Sequence, residues 1–394
     1  MSILDINPLL EHILSFSPDI SDINLSVGRP PQVEINGHLR AVPTRGIARL
    51  SPFQTEMIAL QLLQGNREHV QRLVRTGSVD LPYALPGRTR FRVNIFMQRG
   101  TYSSVLRVIP MHVPTLAGLG LPEELLRIGD LRNGLVLVTG PTGSGKSTTL
   151  AAIVNEINHR HAYHIVTIED PVEYLHRHEK STINQREIGA DAPSFGLALR
   201  AALRQAPKVI LVGEMRDAET AETAVEAAET GHLVFSTLHT IDAAKTVERI
   251  IGVFPKTDES AIRMRFSQTF KYIVSQRLAP RADIEGRIAL LEILKSTART
   301  REYVQKGESE GRSLADAMKD GSLDGMQYFD GEIERLVRAG VLTKSVGIAF
   351  ATNAGNLALE LTDVQEHQKV PVTVGPGSGA PVADEEARPD WLEE

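Results

Sequence analysis

Residues 134–147 decide how this chain is built, and they read Gly-Leu-Val-Leu-Val-Thr-Gly-Pro-Thr-Gly-Ser-Gly-Lys-Ser. The apolar run 135–138 predicts a buried strand, and the glycine-rich turn 140–147 matches all eight positions of the phosphate-loop pattern. A helix is predicted directly after the turn, because apolar side chains from Leu150 to Ile157 recur at helical spacing. Strand, phosphate loop and helix in this order predict an α/β nucleotide-binding domain.

The predicted loop has the groups needed to hold the phosphates of a nucleoside triphosphate, which we expect to be ATP. Glycines let backbone N–H groups curl around the β-phosphate, and the N-terminus of the following helix adds the positive end of its dipole. Lys146 can reach the β- and γ-phosphate oxygens, and the hydroxyl of Ser147 can ligate Mg²⁺. The residues predicted to bind the nucleotide are Gly140, Pro141, Thr142, Gly143, Ser144, Gly145, Lys146, Ser147 and Thr148.

A carboxylate is expected at the end of a second apolar strand, 209–212. Glu214 follows this run after Gly213, at the strand edge where ligands bind in open α/β sheets. Many phosphate-loop enzymes have an Asp at the position of Gly213, so Glu214 is predicted to act alone in ordering magnesium-bound water. The alternative is an ordinary surface acid at a strand end.

Another acidic pair, Glu169-Asp170, ends the apolar run 165–168 and precedes Pro171, which fixes the turn. A glutamate close to the γ-phosphate can orient and deprotonate the attacking water. Glu169 is therefore a candidate general base. The alternative is an acid that caps a helix or stabilises a turn.

Two histidines, His232 and His239, flank the apolar segment 233–237 and are seven residues apart. Because strand side chains alternate, an odd separation places them on opposite faces unless the chain turns after the strand. Either histidine could sense the γ-phosphate or place a proton donor, and the alternative is a structural role. A metal site is not expected, since no third ligand of a suitable kind lies nearby in the sequence.

The segment before the phosphate loop predicts a small α+β domain. Apolar residues recur at helical spacing over 9–14 and again over 53–75. Alternating patterns between and after these two stretches predict strands. Asn36-Gly37 is typical of a hairpin turn, since both residues tolerate positive φ. The predicted helices lie at 9–14 and 53–75, the second divided at Gly65-Asn66, and the predicted strands lie at 23–25, 33–35, 90–96 and 103–109.

Beyond a proline-flanked linker, apolar strands alternate with helices, which predicts a parallel sheet covered on both faces. Further helices are expected after about Leu278, including Glu332–Ala339. From Val370 the composition changes to Pro, Gly, Ser and acidic residues, which predicts disorder. Trp391 in this tail is either an anchor for a partner or an exposed aromatic side chain. The predicted sheet strands lie at 134–139, 165–168, 209–212 and 232–237.

The length of 394 residues predicts two or three domains. The expected limits are 1–109 for the N-terminal domain, 110–117 for the linker, 118–368 for the ATPase domain with its C-terminal helices, and 369–394 for the tail.

Composition and charge exclude several classes of function. With 43 basic and 49 acidic side chains the formal charge is −6, so binding to nucleic acid is not expected. The chain has no cysteine, which excludes disulfides and thiolate zinc sites and fits a reducing compartment. We find no signal peptide and no run long enough for a membrane-spanning helix, so a cytoplasmic protein without direct membrane insertion is expected.

These segments, in this order, resemble the secretion ATPase superfamily, in particular the type IV pilus retraction (twitching-motility) ATPases. The resemblance covers roughly residues 1–295 and is most specific between 134 and 250. The segments that carry it are the phosphate loop, the acidic box Thr167–Glu173, the segment Asn184–Gly189, the strand and its continuation Val209–Asp217, the segment Ala228–His232, and the histidine box 231–240.

The resemblance implies a PAS-like N-terminal α+β domain followed by a RecA-like P-loop ATPase domain with C-terminal helices. It implies a homo-hexamer in which each ATP lies between these two kinds of domain. In this family Glu169 matches the general base and Glu214 the atypical magnesium-site acid. His232 and His239 match a pair linked to the γ-phosphate.

In the same family, arginines of the N-terminal domain complete the ATP site. Arg92 and Arg107 match those positions, and the alternative for each is an exposed strand charge. Arg277 is a weaker candidate. The sequence departs from the family at Ser21–Leu25 and at Leu291-Glu292, and Ala298–Tyr303 follows only loosely the segment that the family links to retraction.

The resemblance implies an ATP hydrolase that drives pilus retraction as a ring motor, peripheral at the inner membrane through an inner-membrane pilus platform protein. A paralogous retraction ATPase is a possible further partner, and this chain could itself be that accessory paralogue. The alternatives are an assembly or type II secretion ATPase, a nucleic-acid translocase, and a nucleotide-sensing subunit without hydrolysis. The absence of cysteines argues against the assembly ATPases, which usually carry a four-cysteine zinc module, as do the roughly 110 residues before the linker.

Overall fold

The computed structural model describes residues 5–35, 37–110 and 112–364. Asn36 of the predicted hairpin, Met111 of the predicted linker, and the tail 369–394 with Trp391 lie outside the described residues. The described part contains one sheet of six strands and one of seven. Each sheet has its own hydrophobic core, and the first core draws only on residues between Ile6 and Leu106. The domain limits themselves stay a prediction.

The first sheet is antiparallel throughout, in the strand order β3-β2-β1-β6-β5-β4. Alternation decides its two faces: in β5, Phe91, Val93 and Ile95 are buried while Arg92 between them is exposed. The elements of this part are α1 (Ile6–Leu14), β1 (Asp22–Leu25), β2 (Gln32–Ile35), β3 (His38–Ala41), α2 (Pro52–Leu63), α3 (Arg67–Thr76), β4 (Ser78–Leu85), β5 (Thr89–Gln98) and β6 (Thr101–Ile109).

Local capping sets the ends of the helices in this part. Ser51 and Gln54 form a capping box that begins α2. The predicted division near Gly65-Asn66 is present, because the Asn66 side chain accepts from the backbone N–H of Glu68 and His69 and so begins α3. Gly77 in the left-handed conformation ends that helix.

The second sheet has the order β13-β12-β7-β11-β10-β8-β9, and all neighbouring strands are parallel except β12 and β13. Its strands are β7 (Gly134–Thr139), β8 (His164–Glu169), β9 (Thr182–Glu187), β10 (Val209–Val212), β11 (Leu233–Leu238), β12 (Phe270–Pro280) and β13 (Arg287–Lys295). Its helices are α4 (Lys146–Arg160), α5 (Phe195–Ala202), α6 (Ala218–Glu229), α7 (Ala243–Gly252), α8 (Glu259–Thr269), α9 (Ala298–Lys306), α10 (Leu314–Asp320), α11 (Phe329–Arg338), α12 (Lys344–Phe350) and α13 (Ala354–Glu360). Short 3₁₀ helices lie at Glu123–Asp130, Leu203–Gln205, Lys256–Asp258 and Ser322–Asp324.

The central strands are buried on both faces, which explains their near-continuous apolar sequences. Every residue of β7, β10 and β11 is buried, because one hydrophobic cluster covers each side of the sheet. The four predicted parallel strands are therefore present.

The region after Leu278 differs from the expectation of helices alone. Strand β12 extends to Pro280, and β13 pairs with it antiparallel before α9 begins at Ala298. A buried apolar run cannot be assigned to strand or helix by periodicity, and pairing with β7 decides the matter for β12. Strand β4 was also not predicted, although its alternating burial is regular. Among the described residues, no helix combines the length and apolarity needed to cross a membrane.

Candidate active site

Four strand ends bring the predicted chemical groups to one edge of the second sheet. Strands β7, β11, β10 and β8 are adjacent in that order and parallel, so their carboxyl ends share an edge. The phosphate loop follows β7, His239 follows β11, Glu214 follows β10, and Glu169 ends β8. Strand spacing separates β7 from β8 by about 14 Å.

The phosphate loop depends on glycine for its shape. Gly140, Gly143 and Gly145 have φ angles of 145°, 79° and 87°, a region that other residues rarely adopt. A Cβ atom on Gly140 would lie 2.3 Å from the carbonyl oxygen of Gln276. The loop therefore needs glycine there because the backbone of β12 passes directly beside it.

Lys146 begins α4 and is buried, with 8% of its surface exposed. Its Nζ donates to the carbonyl oxygens of Gly140 at 2.9 Å and Pro141 at 3.1 Å, so the ammonium group lies over the loop. Burial lowers the pKa of Lys146, and the nearby charge of Glu214 opposes that shift. A partly desolvated cation beside the loop is suited to phosphate oxygens.

The remaining loop residues offer hydroxyl groups to a ligand. Ser144 is buried, and within the described part of the chain its Oγ has no hydrogen-bond partner. Ser147 is exposed in the first turn of α4. A hydroxyl there, with the Glu214 carboxylate on the same edge, is the oxygen-rich donor set that Mg²⁺ prefers. These residues fit a Mg²⁺–nucleotide complex.

Glu214 is held by two basic side chains just beyond β10. Its carboxylate lies 2.6 Å from an Arg216 guanidinium nitrogen and 3.6 Å from His239 Nε2. Only 11% of the Glu214 side chain is exposed, against 71% for Arg216 and 53% for His239. The structure thus brings Glu214 and His239 together at the sheet edge that carries the phosphate loop.

Glu169 lies in a tighter setting than Glu214. Its Oε1 accepts from the hydroxyl of Thr167 at 2.7 Å and from the side-chain amide of Gln185 at 3.1 Å. Burial raises the pKa of Glu169, while these hydrogen bonds and one from the backbone of Glu173 lower it. A carboxyl group with a raised pKa is closer to the value that suits a general base near neutral pH.

The two histidines do not meet within one chain. His239 follows β11 at the phosphate edge, but His232 precedes it, about 20 Å away along the strand. His232 Nδ1 lies 3.0 Å from the Ala227 carbonyl oxygen, at the end of α6. A role for His232 at the γ-phosphate stays a prediction, and within this chain His232 is at the wrong end of β11 for it.

The three arginines lie in two different places. Arg92 and Arg107 are opposite each other on β5 and β6 of the first sheet, and both are exposed. Arg107 also forms an ion pair with Asp22 at 3.0 Å. Arg277 instead stacks 3.7 Å from the Phe329 ring centroid and donates to the Phe350 carbonyl oxygen at 2.5 Å. Its contacts attach β12 to the C-terminal helices.

Gln276 is a site residue that the sequence reasoning missed. It is 3% exposed in β12, donates to the Ser144 carbonyl oxygen at 2.6 Å, and accepts from the Thr149 hydroxyl at 2.8 Å. Its amide thus ties the phosphate loop to α4 from the neighbouring strand. Gln276 stands in the polar triplet Ser275–Arg277 inside an otherwise apolar strand, and that local pattern does not reveal which of the three contacts the phosphate loop.

A buried hydroxyl network joins the histidine box to the end of β7. Thr246 lies 2.6 Å from the Thr240 hydroxyl and 3.4 Å from that of Thr139, which precedes the phosphate loop. Thr139 reaches Ser275 at 3.2 Å, and Ser275 donates to Glu292 at 3.2 Å. The network therefore extends from the loop after β11 to β13.

Comparisons with known proteins identify the family of this chain. The family described as Type II/IV secretion system protein matches residues 35–323. The type IV pilus retraction ATPase PilT of Pseudomonas aeruginosa is 40% identical over 342 residues, which are 86% of this chain and 96% of PilT. The type IV pilus ATPase PilU of the same organism is 39% identical over 339 residues, 86% of this chain and 87% of PilU.

A solved structure gives the same result for the fold. The crystal structure of the pilus retraction motor PilT with bound ADP superposes with a TM-score of 0.78 and 40% sequence identity, over 89% of this chain and 98% of that chain. The predicted α/β fold and the predicted resemblance to the pilus retraction ATPases are confirmed.

Proposed function

The chain belongs to the type II/IV secretion system protein family, among relatives of the type IV pilus retraction ATPases, and from that premise we propose that it is the ATPase motor of pilus retraction. The observation that carries the proposal is the 40% sequence identity to PilT, which extends over 96% of the length of that protein. The phosphate loop, Glu214 and Glu169 on one sheet edge support ATP hydrolysis as its chemistry.

The hydrolysis mechanism assigns one task to each group at this edge. The loop N–H groups and Lys146 would bind the β- and γ-phosphates, and Ser147 and Glu214 would hold Mg²⁺. The ion, when bound, neutralises charge that develops on the transferred phosphoryl group. Glu169 accepts a proton from the attacking water, and its raised pKa favours that acceptance. His239 positions Glu214 from the neighbouring strand.

The family resemblance supports a homo-hexamer with sites completed between subunits. Arg92 and Arg107 lie on a different sheet from the phosphate loop, and both are exposed, as side chains that enter a neighbouring subunit's site would be. The ring would act in the cytoplasm, at the inner membrane, on an inner-membrane pilus platform protein. Similarity to both PilT and PilU supports a retraction motor of either the main or the accessory kind.

The test combines turnover of the purified ring with piliation of a deletion strain. We expect Lys146→Ala and Glu169→Gln to lose ATP turnover by at least about 100-fold, since phosphate stabilisation and general-base catalysis are each worth that much. Glu169→Gln should still bind ATP, because the amide keeps the shape of the side chain. A strain without the protein should accumulate pili and lose twitching.

Glu179→Gln is the matched control, since Glu179 is an exposed carboxylate ten residues after Glu169, and its turnover should equal that of the unmodified chain. A bald deletion strain would contradict retraction and indicate an assembly ATPase. Turnover that rises with DNA and not with membranes containing the pilus machine would indicate a nucleic-acid motor instead.

A further inference from the structure

We propose that Gln185 is a positioning residue for Glu169, which it holds in the orientation for attack and connects to the phosphate-loop helix. The inference rests on the proposed function, because it gives Glu169 the task of the general base. Gln185 itself lies on β9, one of the two edge strands of the second sheet.

The carboxylate of Glu169 is held by the side chains of two register neighbours. Thr167 on β8 and Gln185 on β9 are paired in the parallel ladder, so their side chains share a face. Both donate to the same oxygen, Glu169 Oε1, at 2.7 Å and 3.1 Å. Together with the hydrogen bond from the Glu173 backbone, these two donors restrict the χ angles of the Glu169 side chain.

Gln185 uses all of its remaining groups on the segment that follows Glu169. Its amide also donates to the Tyr174 carbonyl oxygen at 2.8 Å, and its Oε1 accepts from the His176 backbone N–H at 2.9 Å. One side chain therefore contacts both the Glu169 carboxylate and the backbone of the segment that follows the acidic box.

The same segment returns to the phosphate loop. The Tyr174 hydroxyl lies 3.1 Å from the Thr148 hydroxyl in the first turn of α4. A continuous path therefore leads from Thr148 through Tyr174 and Gln185 to Glu169. This path matters because β8 lies three strands away from β7, so no strand pairing joins Glu169 to the loop directly.

The amide of Gln185 affects the pKa of Glu169 as well as its orientation. Glu173 raises the pKa of Glu169 by its charge, whereas donation from Gln185 lowers it. Glu187, opposite Glu169 on β9, accepts from the Val172 backbone N–H at 3.2 Å. Because the charge of Glu173 and burial both raise the pKa of Glu169, losing the amide donor should leave Glu169 protonated over a wider pH range.

The test is the pH profile of ATP turnover by the full chain, with Gln185→Leu and Gln185→Glu. We expect kcat at neutral pH to fall by about tenfold to 100-fold, as for other losses of alignment at a reacting group, with KM for ATP within about twofold. The acidic limb of the profile should move to higher pH in both variants. It should move further in Gln185→Glu, because the new carboxylate lies against Glu169.

Asn184→Ala is the matched control, since Asn184 is the preceding residue on β9 and its amide contacts His164 instead. Its kcat and acidic limb should be unchanged. Gln185→Glu keeps the acceptor for His176 and so carries the test where the leucine variant fails to fold.

Three outcomes separate this inference from the proposed function. Unchanged kcat and an unmoved limb in both Gln185 variants, with Glu169→Gln inactive, would overturn the inference alone. Loss of ATP binding in parallel with kcat, with the limb unmoved, would show a structural role and overturn it equally. An active Glu169→Gln variant would show that Glu169 is not the general base. That result would overturn the mechanism of the proposed function.

Discussion

Glu292 illustrates how strongly the interior of this fold acts on a single carboxyl group. It is 6% exposed on β13 and accepts from the backbone N–H of Ala243 at 2.7 Å, in the first turn of α7. Burial raises its pKa from 4.5 to about 7, and Asp242 adds to the shift. These contacts join β13 to the helix that follows the histidine box.

The raised pKa predicts a pH-dependent stability. In the unfolded chain Glu292 ionises near its ordinary value, whereas in the folded chain it keeps its proton up to about pH 7. Stability is therefore lost as pH rises between these values, because the folded state binds more protons there. Glu292→Gln keeps the hydrogen-bond acceptor without the charge. Its unfolding temperature should therefore exceed that of the unmodified chain by an amount that grows from pH 5 to pH 8. At pH 8 the difference in the free energy of unfolding should be on the order of 3 kcal/mol.

Thermal unfolding across that pH range checks this expectation. Glu302→Gln is the control, because the Glu302 carboxylate is at the surface and its pKa is lowered by Lys306, so it stays ionised throughout. A difference between Glu292→Gln and the unmodified chain that does not change with pH would contradict the assignment.

At the scale of elements, the phosphate loop is shaped by β12 as much as by its own sequence. Gln276 spans the loop and α4 by hydrogen bonds, and its carbonyl oxygen leaves no room for a side chain on Gly140. The loop, α4 and β12 thus form one packed unit. A substitution in any of the three is expected to disturb the others.

Two glycine variants separate backbone strain from this packing. Gly140→Ala should destabilise the protein by about 3 kcal/mol, since the clash is with backbone and cannot be relieved by a rotamer change. Gly143→Ala should cost only about 1 kcal/mol, because its φ is also positive but no atom lies within 4 Å of the added Cβ. Denaturant unfolding without nucleotide measures both, and equal losses would show that the contact with Gln276 does not matter.

At the scale of the whole molecule, the groups predicted to form the site lie on two different sheets. The phosphate loop and the acidic residues lie at the edge of the second sheet, whereas Arg92 and Arg107 lie on the exposed face of the first. In a ring with one repeated interface, such a division allows each site to take its arginines from a neighbour.

This arrangement predicts complementation between two inactive subunits. Arg92→Ala and Lys146→Ala should each lose turnover alone. Rings assembled from both variants should regain part of the turnover. In a ring with one repeated heterologous contact, about a quarter of the interfaces then pair the intact phosphate loop of an Arg92→Ala subunit with the intact Arg92 of a Lys146→Ala subunit. The ATPase rate of mixed rings, against each variant alone, measures the gain. Mixed rings as inactive as their components would place Arg92 outside the neighbour's site. Arg40→Ala, at an exposed arginine on β3, is the control and should keep its turnover when expressed alone.

The sequence alone determined the features that depend on short-range pattern. The phosphate loop, the parallel strands around it, the split of the helical region at Gly65-Asn66 and the acidic residues at strand ends were all predicted from local spacing. These succeed because backbone conformation, capping and burial on both faces each leave a signature within a few residues. The family resemblance rests on the same local segments in a fixed order.

Only the tertiary structure decided which distant residues serve those segments. Gln276, Gln185 and Glu292 come from strands whose neighbours are set by sheet order, and one polar residue in a strand does not reveal its partner. The extended conformation of β11 also separated His232 from His239, since residues at opposite ends of one strand cannot meet at one edge. Sequence determines which groups are present, and long-range strand pairing determines which of them share a site, because that pairing depends on the burial of the whole sheet and not on any single segment.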